Sequence, residues 1–322
     1  MRTPPEGPAI EEKRELGRYW DAHPISTDSV PYAAGTRQSF EAIYERWKQT
    51  IDGMRLEFLE SCRGRRVLEV GCGIGKDARF LTENGIDYIG LDYSFRTLGL
   101  ARKQFDYAGL QKRFVNGDAT ALPFPDHTFG LAMSIGVIHH LPIQGTPDAC
   151  RELVRVTEPG GVVRVMLYNR ASYHCALVNW VVRPLLWLML RVRALEVFLR
   201  WAPAKFRNLY AISKQHGLSS ERLLATSADT SFAGQDNFVL RTSFWTEREM
   251  RELFRGLEDF RFIRRDLKYF PLPFLRGSVE RRWGFFLTMT ARKPAAAPAE
   301  RPQQAGPEQE AVTDAHSGGV KP

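Results

Sequence analysis

Apolar positions along the chain fall into short runs separated by stretches of helical spacing. Val67–Val70, Asp87–Asp92 (DYIGLD), Phe129–Ile138 (FGLAMSIGVI) and Val162–Tyr168 read as strands. The third is apolar without alternation, as expected of a central parallel strand buried on both faces. Lys76–Asn84, a segment starting near Ser94, and a stretch from about Pro147 to Val156 read as helices between them, so the pattern predicts an α/β fold. Upstream, Ser39 is the expected cap of a helix carrying Phe40, Ile43, Tyr44, Trp47, Ile51, Met54 and Phe58 at helical spacing, and residues 1–38 read as an irregular segment in which Tyr19-Trp20 and His23-Pro24 suggest packing onto something. Downstream, Thr246 and Glu249 spell a capping box opening a helix over Thr246–Phe254, followed by strands near 259–269 and 284–292.

Residues 169–245 then form a helical insertion between the core (39–168) and the end of the sheet (246–293). Within it Val178, Val181, Leu185, Leu188, Val192, Leu195 and Leu199 step by threes and fours, one apolar stripe on a helix open to a kink at Pro184. Arg183, Arg191, Arg193 and Arg200 lie off the stripe and argue against a span through a bilayer. Residues 294–322, rich in Ala, Pro, Gln, Glu and Gly, carry no apolar periodicity and read as a disordered tail.

The first strand leads into Glu69, Gly71, Gly73 and Gly75 at alternate positions. Glycine there lets the backbone turn tightly and approach a ligand closely, and the helix that follows points its first N–H groups at the same place. A dinucleotide fingerprint would put its third glycine at 76, which is Lys76, and the phosphate-gripping G-x-x-x-x-G-K-[ST] pattern is missing. Asp92 ends the second strand 21 positions after Gly71, the place from which an acid accepts hydrogen bonds from ribose hydroxyls; an ordinary turn or cap role is compatible with it.

E-x-G-x-G-x-G resembles motif I of the class I S-adenosylmethionine (SAM)-dependent methyltransferases, and three further segments are similar to that family in order. They are the acid at Asp92, Gly117-Asp118-Ala119 with Leu122-Pro123-Phe124, and Arg155-Val156-Thr157-Glu158-Pro159-Gly160-Gly161 before the strand at Val162. The resemblance covers residues 66–168 and is closest to the UbiE-like branch. It implies a Rossmann-like, mostly parallel seven-stranded sheet with helices on both faces, SAM as cofactor and S-adenosylhomocysteine (SAH) as product. It also implies that Glu69, Gly71, Cys72, Gly73, Gly75, Asp92, Tyr93, Asp118, Ala119, Ser134 and Ile135 surround the cofactor, with Asp118 at the adenine amino group. Tyr32 and Arg46 are further candidate neighbours. His139 and His140 are candidate bases, although a structural role is common for this pair, and Tyr168, Asn169, Arg170 and Tyr173 after the fifth strand are expected to border the acceptor.

Composition narrows the chemistry. Cys62, Cys72, Cys150 and Cys175 form no CxxC pair, which excludes a radical-SAM cluster and suggests reduced thiols in a cytoplasmic protein, peripheral to the inner membrane surface in one reading of the insertion. No metal is implied. Ser134-Ile135-Gly136-Val137-Ile138 replaces the [DN]-P-P-[YF] of enzymes that methylate bases or glutamine. The acceptor expected is therefore a small or lipid-like molecule taking the methyl on O, N or C, not a nucleic acid. A SAM-binding scaffold without turnover and an RNA methyltransferase are the alternatives; the net charge of +8 and the arginines of the C-terminal third do not choose between them. The helix over 177–201 has three readings: a lid, a peripheral membrane contact, or an oligomer contact.

Overall fold

The computed structural model describes residues 8–24, 27–51, 55–228, 242–267 and 273–295. Every strand expected from the sequence forms, as β1 (Arg66–Val70), β2 (Asp87–Asp92), β4 (Phe129–Ile135), β5 (Thr157–Asn169), β7 (Glu258–Arg265) and β8 (Phe286–Arg292), and a short β3 (Phe114–Asn116) that no apolar run announced joins them. They lie in the order β3-β2-β1-β4-β5-β8-β7, the first five parallel and β8 antiparallel to both its neighbours. An eighth strand, β6 (Phe244–Trp245), pairs parallel with Tyr168 and Asn169 at the end of β5. This two-residue strand, absent from the seven expected, forms where the chain returns from the insertion and buries Phe244.

Helices cover both faces. α2 (Arg37–Thr50), α3 (Arg55–Cys62), α4 (Lys76–Glu83) and α5 (Phe95–Ala108) pack Tyr44, Leu59, Leu81 and Phe105 against Val67, Leu131 and Met133. α6 (Gly145–Val156) and the later helix at Glu247–Leu253 pack Leu153 and Met250 against Ala132, Val163 and Leu287 on the other face. β4 thus sends alternate side chains into two separate cores, the physical reason for its unbroken apolar run. The Thr246–Glu249 capping box is present as expected.

Three expectations need correction. The N-terminal segment is not irregular: Pro8–Ala22 is a helix, α1. α2 is capped by Thr36, whose hydroxyl accepts from the Ser39 N–H, and it ends at Thr50, so the aromatic helix is two helices; Met54 lies outside the described residues. Finally, the apolar stripe of the insertion is not carried by one continuous helix, which ends at Arg191 before a 3-10 segment at Arg193–Arg200. α7 (Tyr173–Leu177) continues through a π-helical turn at Val178–Val182 into α8 (Arg183–Arg191). The wider turn accommodates Pro184, which cannot complete an α-helical hydrogen bond, and it rotates the buried face. Val178, Leu186 and Met189 are buried against α9 (Ala204–His216) and α10 (Ser220–Ala228), while Val181, Leu185, Leu188 and Val192 are exposed. Residues 296–322, most of the expected tail, lie outside the described residues.

Candidate functional site

Strand order reverses between β1 and β4, and the glycine loop sits at that switch point, where open α/β sheets bind ligands. The loop is tied down from below. Gly71 and Cys72 donate their N–H groups to Leu91 O at 2.7 and 3.0 Å, and Gly73 N–H donates to Asp92 Oδ2 at 2.8 Å. Gly71 has φ +80°, and a Cβ there would stand 2.2 Å from Val137 Cγ2, so any other residue would strain the backbone and displace Val137. Asp92 Oδ1 accepts from Ser94 N–H at 2.9 Å, and Ser94 rather than Asp92 caps α5. Burial pushes the Asp92 carboxyl up from its usual value, opposed by the Ser94 and Gly73 N–H groups. Glu69, wholly enclosed, is pushed well up by burial and by Asp77, and accepts the Tyr88 hydroxyl. Burial likewise raises the Cys72 thiol, which is a space filler and no nucleophile.

The Gly117–Phe124 loop is held by the segment that precedes the β5 turn. Arg155 donates to Leu122 O at 3.0 Å and Phe124 O at 2.8 Å and pairs with Glu152 and Asp126, while Glu152 accepts the Leu122 N–H at 2.7 Å. The two sequence segments are therefore partners in space. Asp118 accepts from Thr120 N–H and hydroxyl through Oδ1 and from Lys13 Nζ through Oδ2 at 2.9 Å. Burial works to raise its carboxyl, but Lys13 and Thr120 outweigh it and hold the group below its usual value.

Lys13 belongs to α1, the element the sequence reading missed. α1 lies across the crevice: Asp21 accepts the Ser94 hydroxyl at 2.6 Å, Gly17 packs against the Tyr93 ring, and Trp20 meets His140 edge-on at 5.3 Å. Lys13, Leu16 and Trp20 all line the cavity.

That cavity, about 590 Å³, joins the glycine loop to residues of β5, β8 and β7. Of the expected cofactor neighbours, Glu69, Gly71, Cys72, Gly73, Asp92, Tyr93, Asp118, Ala119 and Ile135 line it. Gly75 instead turns the chain into α4 with φ +83°, and Ser134 donates to Val70 O at 3.1 Å. Neither lines the cavity; nor do Tyr32, which is exposed, or Arg46, which donates to Ser29 O. Of the expected acceptor residues only Tyr168 lines it. Asn169 is a buried stitch to Gly284 O, Arg170 pairs with Glu249, and Tyr173 opens α7. In their place stand Trp47, Phe58, Arg164, Met166, Phe286 and Thr288. From the described part of the insertion, only Ala228 reaches the cavity.

The two histidines separate. His139 is fully buried against Tyr168 with neither ring nitrogen hydrogen-bonded, and burial with His140 beside it holds the ring well below its usual pKa, neutral. It is packing, not a base. His140 lines the cavity, with Nδ1 at 3.4 Å from the Thr242 hydroxyl.

The crevice suits SAM: a backbone cradle with no room for a Cβ at Gly71 beside Val137, an acid tied to that cradle at ribose distance in sequence, and a second acid on the cavity wall. Comparison with known proteins agrees. Residues 67–161 match the family described as "Methyltransferase domain". A fatty-acid O-methyltransferase of Mycolicibacterium smegmatis is 37% identical over 119 residues, 36% of this chain and 41% of that protein. Methyltransferase GfsG of Streptomyces halstedii is 32% identical over 171 residues, 48% of this chain and 60% of that protein. The chain thus spans between about two fifths and three fifths of the length of these curated relatives. The crystal structure of magnesium protoporphyrin IX methyltransferase from Synechocystis PCC 6803 with bound SAM matches 89% of this chain and 100% of its own at TM-score 0.50 and 12% identity, a likeness of fold. Over residues 67–161 this chain is thus similar to methyltransferase domains, and its fold is like that of a SAM-binding methyltransferase.

Proposed function

We propose that the whole chain is an enzyme that moves a methyl group from SAM to a small or lipid-like acceptor. The observation that carries this reading is the single cavity running from the glycine loop and Asp92 to the apolar trough at Met166, Tyr168 and Phe286. Likeness to a fatty-acid O-methyltransferase supports a lipid-like acceptor.

SAM, when bound, supplies an electrophilic methyl on a sulfonium whose leaving group is neutral. The protein's share is placement and exclusion of water. Asp92 would hold the ribose, Asp118 with Lys13 the adenine side, and the Gly71–Gly73 backbone the remainder, while Leu16 and Trp20 of α1 close over them. Alignment of this kind supplies roughly 7–11 kcal/mol of barrier reduction. A hydroxyl acceptor would also lose a proton, and His140, with its ring at the cavity wall, is placed to take it.

The insertion supports contact with a lipid surface. Tyr173–Arg191 is long and apolar enough to cross a membrane by length and composition, yet it buries Leu186 and Met189 against α9 and α10, so we read it as lying on the bilayer. Trp180, Trp187, Phe198 and Trp201 stand 82, 52, 58 and 66% exposed, and Arg183, Arg191, Arg193 and Arg200 flank them, the composition of a helical face resting among anionic headgroups.

Calorimetric titration with SAH tests the cofactor assignment. Asp92→Ala is expected to bind about 10- to 100-fold more weakly, the loss of charge-assisted hydrogen bonds. Equal affinity for both proteins would refute the ribose role.

A further inference from the structure

Arg164 sits on β5 four residues before Tyr168, about 13 Å down the strand at ~3.3 Å per residue. Its guanidinium lines the far end of the cavity, opposite the cofactor loop. Nε donates to the Thr290 hydroxyl at 3.3 Å and the guanidinium carbon stands 5.5 Å from the centre of the Phe58 ring. Among the described residues no carboxylate comes within ion-pair distance of it. Glu57 and Arg265, the other charged side chains at this end of the cavity, are exposed at its rim.

Arg79 provides the internal comparison. It is drawn into the protein on the same side of the sheet and is clamped at 3.0 and 2.8 Å by Glu41 and Glu83, which overcome its burial and raise its pKa. At Arg164 burial prevails and draws the guanidinium down. A cation partly withdrawn from water without an anion costs free energy that a fold normally recovers by pairing. Among the described residues the terminal nitrogens of Arg164 have no side-chain or backbone acceptor, and they face the cavity. Between them and the mouth of the trough the wall is mostly apolar: Phe58, Met166, Ile263 and Phe286.

We propose that Arg164 is the anion-binding end of the acceptor subsite, which takes an amphiphile whose apolar body lies along Met166 and Phe286 and whose oxyanion, a carboxylate or phosphate, pairs with the guanidinium. This rests on the methyl-transfer reading and refines it: the anion lies about 13 Å, at ~3.3 Å per residue, from Tyr168 at the carboxyl end of β5, so the methylated atom is a different part of the acceptor.

The test is calorimetric binding of decanoate, decyl phosphate and decanol to the full chain, below their micellar concentrations, with SAH titrated in parallel. Wild type is expected to bind one or both anions at least ~10-fold more tightly than decanol. A preference for decanoate marks a carboxylate-bearing acceptor, and a preference for decyl phosphate a phosphate-bearing one. Arg164→Met should erase the difference while leaving decanol and SAH within about 2-fold, and Arg164→Lys, a point charge without the planar fork, should keep part of it. Anions binding wild type no better than decanol, or a preference surviving in Arg164→Met, would overturn the proposal. So would an equal loss of SAH affinity in Arg164→Met, which would give the arginine to the cofactor's own carboxylate. Failure of wild type to bind SAH would instead sink the methyl-transfer reading, and the decanoate arm would still judge Arg164.

Discussion

Gly71→Ala puts the cofactor site to its sharpest test, because one methyl group is added where the structure has no room. The new Cβ would stand 2.2, 2.7 and 2.9 Å from Cγ2, Cγ1 and Cβ of Val137, against the 3.5–4.0 Å of ordinary carbon contact. Two costs add. The left-handed backbone at φ +80° disfavours alanine by about 1–2 kcal/mol, and forcing Val137 aside costs about 1–3 kcal/mol, as overpacking usually does. The sum, about 2–5 kcal/mol, is below the stability of most domains, so the variant is expected to fold. Where the loop yields rather than the core, the same strain appears as lost SAH affinity, about 30-fold for each 2 kcal/mol. Calorimetry with SAH and urea unfolding read the two shares separately. Val137→Gly removes all three clashing atoms, so the double variant should recover the steric share and leave the backbone share, a coupling of about 1–3 kcal/mol in a double-mutant cycle. Strict additivity, or Gly71→Ala binding SAH as wild type does with an unchanged urea midpoint, would refute the geometry of the loop.

Two other outcomes follow from the site and the insertion. His139 is held neutral in the folded protein but titrates near 6.5 when unfolded, so the unfolded state binds the extra proton. Its contribution is complete above about pH 6.5 and is lost as pH falls through that value, about 1 kcal/mol by pH 5.5. Urea midpoints across pH 5.5–7.5 should show this loss in wild type and less of it in His139→Phe; equal slopes would refute it. Replacing Trp180, Trp187 and Trp201 together by Ser should reduce co-sedimentation with phosphatidylglycerol vesicles by at least ~10-fold, and salt should weaken binding of the wild type through the flanking arginines. Full retention by the triple variant would exclude this face as the contact.

The sequence was most legible where local pattern and tertiary demand coincide. β4 is apolar throughout because both its faces are covered, and Gly71 is glycine because Val137 stands behind it. α1 failed to show itself for the opposite reason. Lys13, Leu16 and Trp20 do step by three and four, but prolines precede them and charged residues surround them. What fixes this helix is distant in the chain: Asp118, Ser94 and Tyr93. A helix held mainly by tertiary contacts leaves a weak trace in its own propensities.

The insertion misled in a different way. Trp180 to Leu190 is apolar nearly all round, so periodicity offered several faces, and a π-helical turn chose among them. That choice is made by backbone hydrogen bonding around Pro184, which no spacing rule encodes. Arg164 did leave a signal: it is the one charged residue between Val162 and Asn169 in a strand with parallel and antiparallel neighbours on its two sides. A charge at such a position must pair within the fold, reach water, or serve a ligand. Only the packing around it, with Thr290 and Phe58 as its neighbours and no carboxylate at hand among the described residues, separates the third case from the first. The cofactor end of the cavity was thus written in the glycine loop, where backbone geometry restricts residue type. Its other end depends on which side chains distant strands and a helix bring together, and for that the three-dimensional arrangement was needed.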